Sequence, residues 1–118
     1  MKCSGCLDKI DESKIDAASA VSGCGPAYAY MFIEALADGA VKCGLPRNKA
    51  LLYAKQTLLG AAALALASDA HPEALKDAVC SPGGTTIEGV LALENGAFRH
   101  DVASAVIAAY EKTLKLGK

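Results

Sequence analysis

The chain is expected to be all-α, and three features of its sequence say so. Apolar residues make up 53% of the 118, aromatics only 5%, and the core must be built from Ala, Leu, Val and Ile. Hydrophobic positions recur at helical spacing, with no strand-like alternation. Glycine and proline divide the chain into six such segments. Ala- and Leu-rich segments of this kind favour helices that pack closely together.

The first helix is expected over 11–22, with Ile15, Ala18 and Val21 on one side. It stops at Ser22-Gly23-Cys24-Gly25-Pro26. Pro26 suits the first turn of a second helix, where its missing N–H is not needed. That helix runs to about Cys43 and ends at Gly44, a common C-terminal stop. Between 27 and 42 its only charges are Glu34, Asp38 and Lys42, four apart on one stripe. Tyr28, Tyr30, Met31, Phe32, Ile33, Leu36, Val41 and five alanines fill most of the rest. A helix with so narrow a polar stripe is buried on most sides. Few helices of a domain this size can be so enclosed, so a second subunit is expected to cover it. Glu34 and Asp38 read as a solvated stripe rather than an acid/base pair.

Leu45-Pro46-Arg47 opens a third helix, which continues through Leu51, Leu58, Ala62 and Leu66 to about Ser68. Gly60-Ala61-Ala62-Ala63 gives it a small-residue face that another helix can approach closely. Its uninterrupted apolar run, 58–67, is ten residues, too short to span a bilayer. His71-Pro72 opens a short fourth helix over 73–79. A fifth is expected from Ile87 to about Asn95, with Gly96 as its stop. The sixth spans 98–116, with Phe98, Val102, Val106, Ala109, Tyr110 and Leu114 at helical spacing.

Between the fourth and fifth helices lies Ser81-Pro82-Gly83-Gly84-Thr85-Thr86-Ile87-Glu88-Gly89, the most informative stretch of the chain. Proline and paired glycines make a turn, and glycines let backbone N–H groups approach a ligand with no Cβ in the way. Thr85 or Thr86 is placed to cap the next helix, whose first N–H groups have no intrahelical partner. Such a helix start suits a carboxylate or phosphate, and it suits a plain capped turn as well.

Composition narrows the partners. The net charge is −1, with 12 basic and 13 acidic residues and no run of like charge, so nucleic acid and anionic membrane are not expected. Met1-Lys2-Cys3-Ser4-Gly5-Cys6-Leu7-Asp8 lacks the apolar core of a signal peptide, and a cytoplasmic location is expected. Five cysteines, an odd number without secretory context, read as reduced thiols. Cys3-x-x-Cys6 has metal-ligand spacing, but no second pair and no nearby His completes a four-ligand site. Residues 1–10 read as a frayed segment ahead of a domain over 11–118, with no metal expected.

Six segments in order carry a family likeness. They are Ser22-Gly23-Cys24-Gly25-Pro26-Ala27-Tyr28, Glu34-Ala35-Leu36-Ala37-Asp38-Gly39, Gly44-Leu45-Pro46-Arg47, Gln56-Thr57 with Gly60-Ala61-Ala62, His71-Pro72 with Leu75-Lys76-Asp77, and Ser81-Pro82-Gly83-Gly84-Thr85-Thr86-Ile87. Together they resemble the C-terminal dimerisation domain of pyrroline-5-carboxylate reductase over roughly 8–118.

The resemblance implies an all-helical domain that interleaves with a second copy in a dimeric bundle, with higher assembly left open. It implies a whole enzyme with an N-terminal Rossmann domain for NAD(P)H, which reduces the imine of 1-pyrroline-5-carboxylate to L-proline. No G-x-G-x-x-G after a strand is present, so this chain alone is expected to bind no cofactor and to be inactive. By the likeness, Ser81, Gly84, Thr85 and Thr86 hold the substrate carboxylate, with Gly83 among the substrate-binding residues. Thr86 also presents its hydroxyl to the ring nitrogen, and Asp69 stands where the family often has an acidic residue near the site. Cys24 stands where serine is common in the family.

Two other functions compete with this one. One is a helical oligomerisation module that has lost catalysis; the other is a small metal-binding protein using Cys3 and Cys6. The Thr86 hydroxyl beside a double glycine favours the enzyme, since a scaffold has no need of it.

Overall fold

The computed structural model describes residues 11–117. Cys3 and Cys6, and the segment 1–10 expected to fray, lie outside them. Among the described residues there is no strand, and six α-helices follow a 3₁₀ turn at Glu12–Lys14. They are α1 Ile15–Ser22, α2 Gly25–Lys42, α3 Arg47–Ala67, α4 Pro72–Val79, α5 Thr85–Asn95 and α6 Phe98–Leu116.

Local chemistry sets most of the boundaries. At the end of α2, Gly44 has φ +111, and its N–H donates to Val41 while that of Leu45 reaches back to Ala40, at 2.9 and 3.0 Å. This paired closure satisfies the last carbonyls and needs a residue free of Cβ strain at the left-handed position. α3 starts one residue later than expected, with Pro46 as its extended N-cap at ψ 146. The first expected helix divides into the 3₁₀ turn and α1. Between α5 and α6 the chain turns through Ala97 at φ +61, the one non-glycine with positive φ among the described residues.

The chain divides into two units, one being Met31–Phe98 and the other the residues on either side of it. In the flanking unit Ala20 is buried, and the Tyr28 hydroxyl donates to the Ala105 carbonyl of α6 at 3.3 Å. The Ser22 and Thr113 hydroxyls fold back onto carbonyls four residues earlier, as helical hydroxyls do.

In the Met31–Phe98 unit, the C-terminal half of α2 and the N-terminal half of α3 form a hairpin around Gly44. Ala37, Ala50 and Ala54 are its buried core, with Ile33, Ala40, Val41, Leu45 and Leu51 packed against them. Alanine there lets the two backbones come close, and Arg47 closes the hairpin by pairing with Asp38 at 2.7 Å. The Phe32 and Phe98 rings sit 6.0 Å apart, tilted by 45°, a favourable aromatic geometry.

The enclosure expected for α2 is not supplied by the chain itself. Only Ala37 of that helix is buried, while Tyr30 and Met31 are 68% and 67% exposed. α3 also departs from its reading. Beyond its longest unbroken apolar run, this 21-residue helix contains a stretch that is long and apolar enough, by length and composition alone, to cross a bilayer. Its N-terminal half is instead engaged with α2 through Ala50 and Ala54.

Candidate functional site

The Ser81–Gly84 stretch folds as a tight turn. Its closing bond runs from the Gly84 N–H to the Ser81 carbonyl, 3.0 Å, with Gly83 at φ +69 in the third position. Proline second and a left-handed glycine third is the type II pattern, and a Cβ at that third position is strained. The turn delivers the chain directly into α5, which begins at Thr85, two residues earlier than the sequence reading placed it.

That shift changes the role of both threonines. Neither Thr85 nor Thr86 caps the helix, because both lie inside its first turn. The N-cap is Gly84, extended at φ −82 and ψ 179, and no side chain caps α5. A helix start without a side-chain cap leaves its first N–H groups available to a ligand. Glycine at this place answers to sterics: a Cβ on Gly84 would collide with the Ser81 hydroxyl oxygen and lie 3.2 Å from the Ser81 carbonyl oxygen. Gly83 has open space around it and is needed for its φ alone.

The hydroxyls of Ser81, Thr85 and Thr86 all belong to exposed residues at this helix start, with Gly84, Ile87 and Val90 half-buried beneath them. Asp69 lies in the connection between α3 and α4, exposed, in a short turn where the Ala70 N–H donates to Ser68 Oγ at 3.0 Å. No hydrogen bond or ion pair ties Asp69 to the turn. Ser81, Gly83, Gly84, Thr85 and Thr86 thus lie together at the start of α5, and Asp69 lies in the connection between α3 and α4.

One local role escaped the sequence reading. His71 is the N-cap of α4, and its Nδ1 accepts the Glu73 N–H at 3.0 Å. The signal was available, since a polar residue immediately before a proline at a helix start occupies the cap position. On α4, Lys76 pairs with Asp77 at 3.3 Å and Glu73 at 3.5 Å. The hydrogen bond to Asp77, with the nearby Glu73 charge, lifts Lys76 above the ordinary lysine value.

The remaining candidates are structural or exposed. Asp38 is held by Arg47, and Glu34 is a solvent-facing residue of the same helix. Cys24, Cys43 and Cys80 are free thiols. Among the described residues no group of three or more His, Cys, Asp or Glu is positioned to hold a metal ion.

Comparison with known proteins decides what this helix set is. Residues 12–116 match the family model described as pyrroline-5-carboxylate reductase dimerisation. The chain belongs to that family. The pyrroline-5-carboxylate reductase of Pisum sativum is 54% identical over 95% of the chain and 41% of its own length. That of Escherichia coli is 49% identical over 99% of the chain and 44% of its own length. Among solved structures, the pyrroline carboxylate reductase of Plasmodium falciparum with NADP bound superimposes with a TM-score of 0.89. It shares 43% identity, covering 94% of this chain and 42% of that one. The chain thus spans about two fifths of the length of these relatives, and that part is the dimerisation domain.

Proposed function

We propose that this chain is the dimerising and substrate-holding part of a pyrroline-5-carboxylate reductase, which reduces the imine of 1-pyrroline-5-carboxylate to L-proline with NAD(P)H. The observation that carries this reading is the uncapped start of α5, delivered by the Ser81–Gly84 turn, in a chain matched along 12–116 to the family. A small imino acid has one carboxylate and one ring nitrogen. Backbone N–H groups of Thr85 and Thr86, with the Ser81 and Thr85 hydroxyls, suit the carboxylate as charge-assisted donors. The Thr86 hydroxyl is the acceptor proposed for the N–H of the protonated imine, and Asp69 is the acidic group proposed at the site's edge.

These residues bind and orient; none is a nucleophile, and the reaction calls for none, since hydride comes from the nicotinamide. The Gly83-Gly84 turn follows helix α4 rather than a strand, so it does not fit a dinucleotide pyrophosphate in the strand–turn–helix manner. The cofactor is proposed to be held by residues outside this chain, in a Rossmann domain of the whole enzyme. Calorimetric titration of this chain with NADPH is expected to give no saturable heat, and tight binding would refute that assignment.

The domain is proposed to span 11–118 and to pair with a second copy, the two interleaving, in the cytoplasm, where thiols such as Cys24, Cys43 and Cys80 stay reduced. Exposed Tyr30 and Met31 on α2 and the apolar length of α3 support burial against a partner helix set. Titrating L-proline into the chain while following amide chemical shifts tests the site. Shifts clustered on 81–88, with millimolar or weaker affinity of about 4 kcal/mol or less, support it; shifts centred elsewhere remove it.

A further inference from the structure

The Ser81 hydroxyl occupies the space that a side chain on Gly84 would take. A Cβ built on Gly84 meets Ser81 Oγ far inside any tolerated contact, while the Ser81 Cβ is at an ordinary 3.7 Å. The hydroxyl makes no hydrogen bond to the described residues, so nothing but this notch and the staggered preference of χ1 fixes its direction. It also makes no cap on α5. A donor hydroxyl thus lies over the N-cap of an open helix start and is not consumed by that helix.

We infer that Gly84 is a positioning residue: its missing side chain seats the Ser81 hydroxyl beside the α5 N–H groups, where it donates to the substrate carboxylate. This rests on the substrate reading given above. An ordinary N-cap residue would fail here in two ways. Ser, Thr, Asp or Asn would turn its own oxygen onto the N–H groups that a ligand needs. Its Cβ would also drive Ser81 Oγ into another rotamer, a cheap movement for the fold but a loss of aim for the site.

The test is a cycle of Ser81→Ala, Gly84→Ala and the double variant, read in the 118-residue chain with L-proline as the probe. Each single variant is expected to weaken proline by about tenfold, the scale of one lost hydrogen bond to a charged acceptor. The double variant is expected to lose no more than either, because both changes remove the same donor. In the ligand-free chain, the Ser81 Hα–Hβ couplings should report one rotamer in the wild type and a different or averaged one in Gly84→Ala. Helix content by circular dichroism should stay unchanged in both singles. Additive losses overturn the positioning role, as does a Ser81 rotamer unmoved in Gly84→Ala. A wild-type chain that binds no proline, while Gly84→Ala still moves the rotamer, overturns the substrate reading instead and leaves the steric seat standing.

Discussion

Thr86 and Ala97 show two opposite uses of a single residue. Thr86 sits in the first turn of α5, exposed, where its hydroxyl serves no cap. Thr86→Ala removes one hydrogen-bonding group from the proposed site and none from the helix. Proline binding is expected to weaken by about 0.5–1.5 kcal/mol, with the oligomeric state unchanged in sedimentation; equal binding would take Thr86 out of the site. Ala97 is instead a residue under strain, held at φ +61 between α5 and α6. An L-residue there costs roughly 1–2 kcal/mol, and glycine gives part of that back as freedom of the unfolded chain. Ala97→Gly is therefore expected to raise stability by about 0.5–1 kcal/mol. A shifted denaturant midpoint at unchanged slope and fixed protein concentration is the readout.

Among the elements, α4 is the shortest α-helix along with α1, eight residues each, too short to persist on propensity alone. It depends on its ends. His71 supplies the N-terminal cap through Nδ1, and Pro72 presets the first φ. His71→Ala is expected to lower stability by about 0.5–2 kcal/mol, and His71→Asn to recover most of it; hydrogen exchange at the Glu73 amide reports the change directly. At the other end Lys76 pairs with Asp77 and Glu73. Its raised folded-state value means that this contribution is complete at neutral pH and is lost only as pH rises through the alkaline range where Lys76 deprotonates. The group is exposed to solvent, so salt weakens the pair and the alkaline effect is small.

At the scale of the whole molecule the apolar surface is the governing fact. The buried hydrophobic residues among those described are four alanines, Ala20, Ala37, Ala50 and Ala54. Four alanines bury too little apolar area to offset the ordering of a chain this long. Leu52, Leu59 and Leu66 lie seven apart on one stripe of α3 and are 49%, 71% and 75% exposed. A stripe of that kind needs a partner helix. The chain is expected to sediment as a dimer at low micromolar concentration, through an interface of more than about 2,000 Å². Leu59→Lys is expected to dissociate it and to lower its helix content, and a wild-type monomer with full helix content would refute the pairing.

Six helices and most of their ends were legible in the sequence because glycine, proline and hydrophobic spacing act locally. Gly44, with its left-handed turn, and Gly96 mark ends that sequence places within a residue. The Ser81–Thr86 stretch announced a turn ahead of a helix start for the same reason. What the sequence left undecided was which residue caps α5. Thr85, Thr86 and Gly84 are all acceptable there by type, and the tight turn closed by the Gly84 N–H carries the chain into helix at Thr85. The collision reserved for Ser81 at Gly84 is likewise invisible in sequence, because it is a distance between atoms of residues three apart. The same holds for burial. Composition says that α2 and α3 must be covered; only the folded chain decides that its own helices cover Ala37, Ala50 and Ala54 and leave Tyr30, Met31, Leu59 and Leu66 exposed. Local backbone chemistry sets where helices begin and end, whereas burial depends on residues that the chain brings together from far apart.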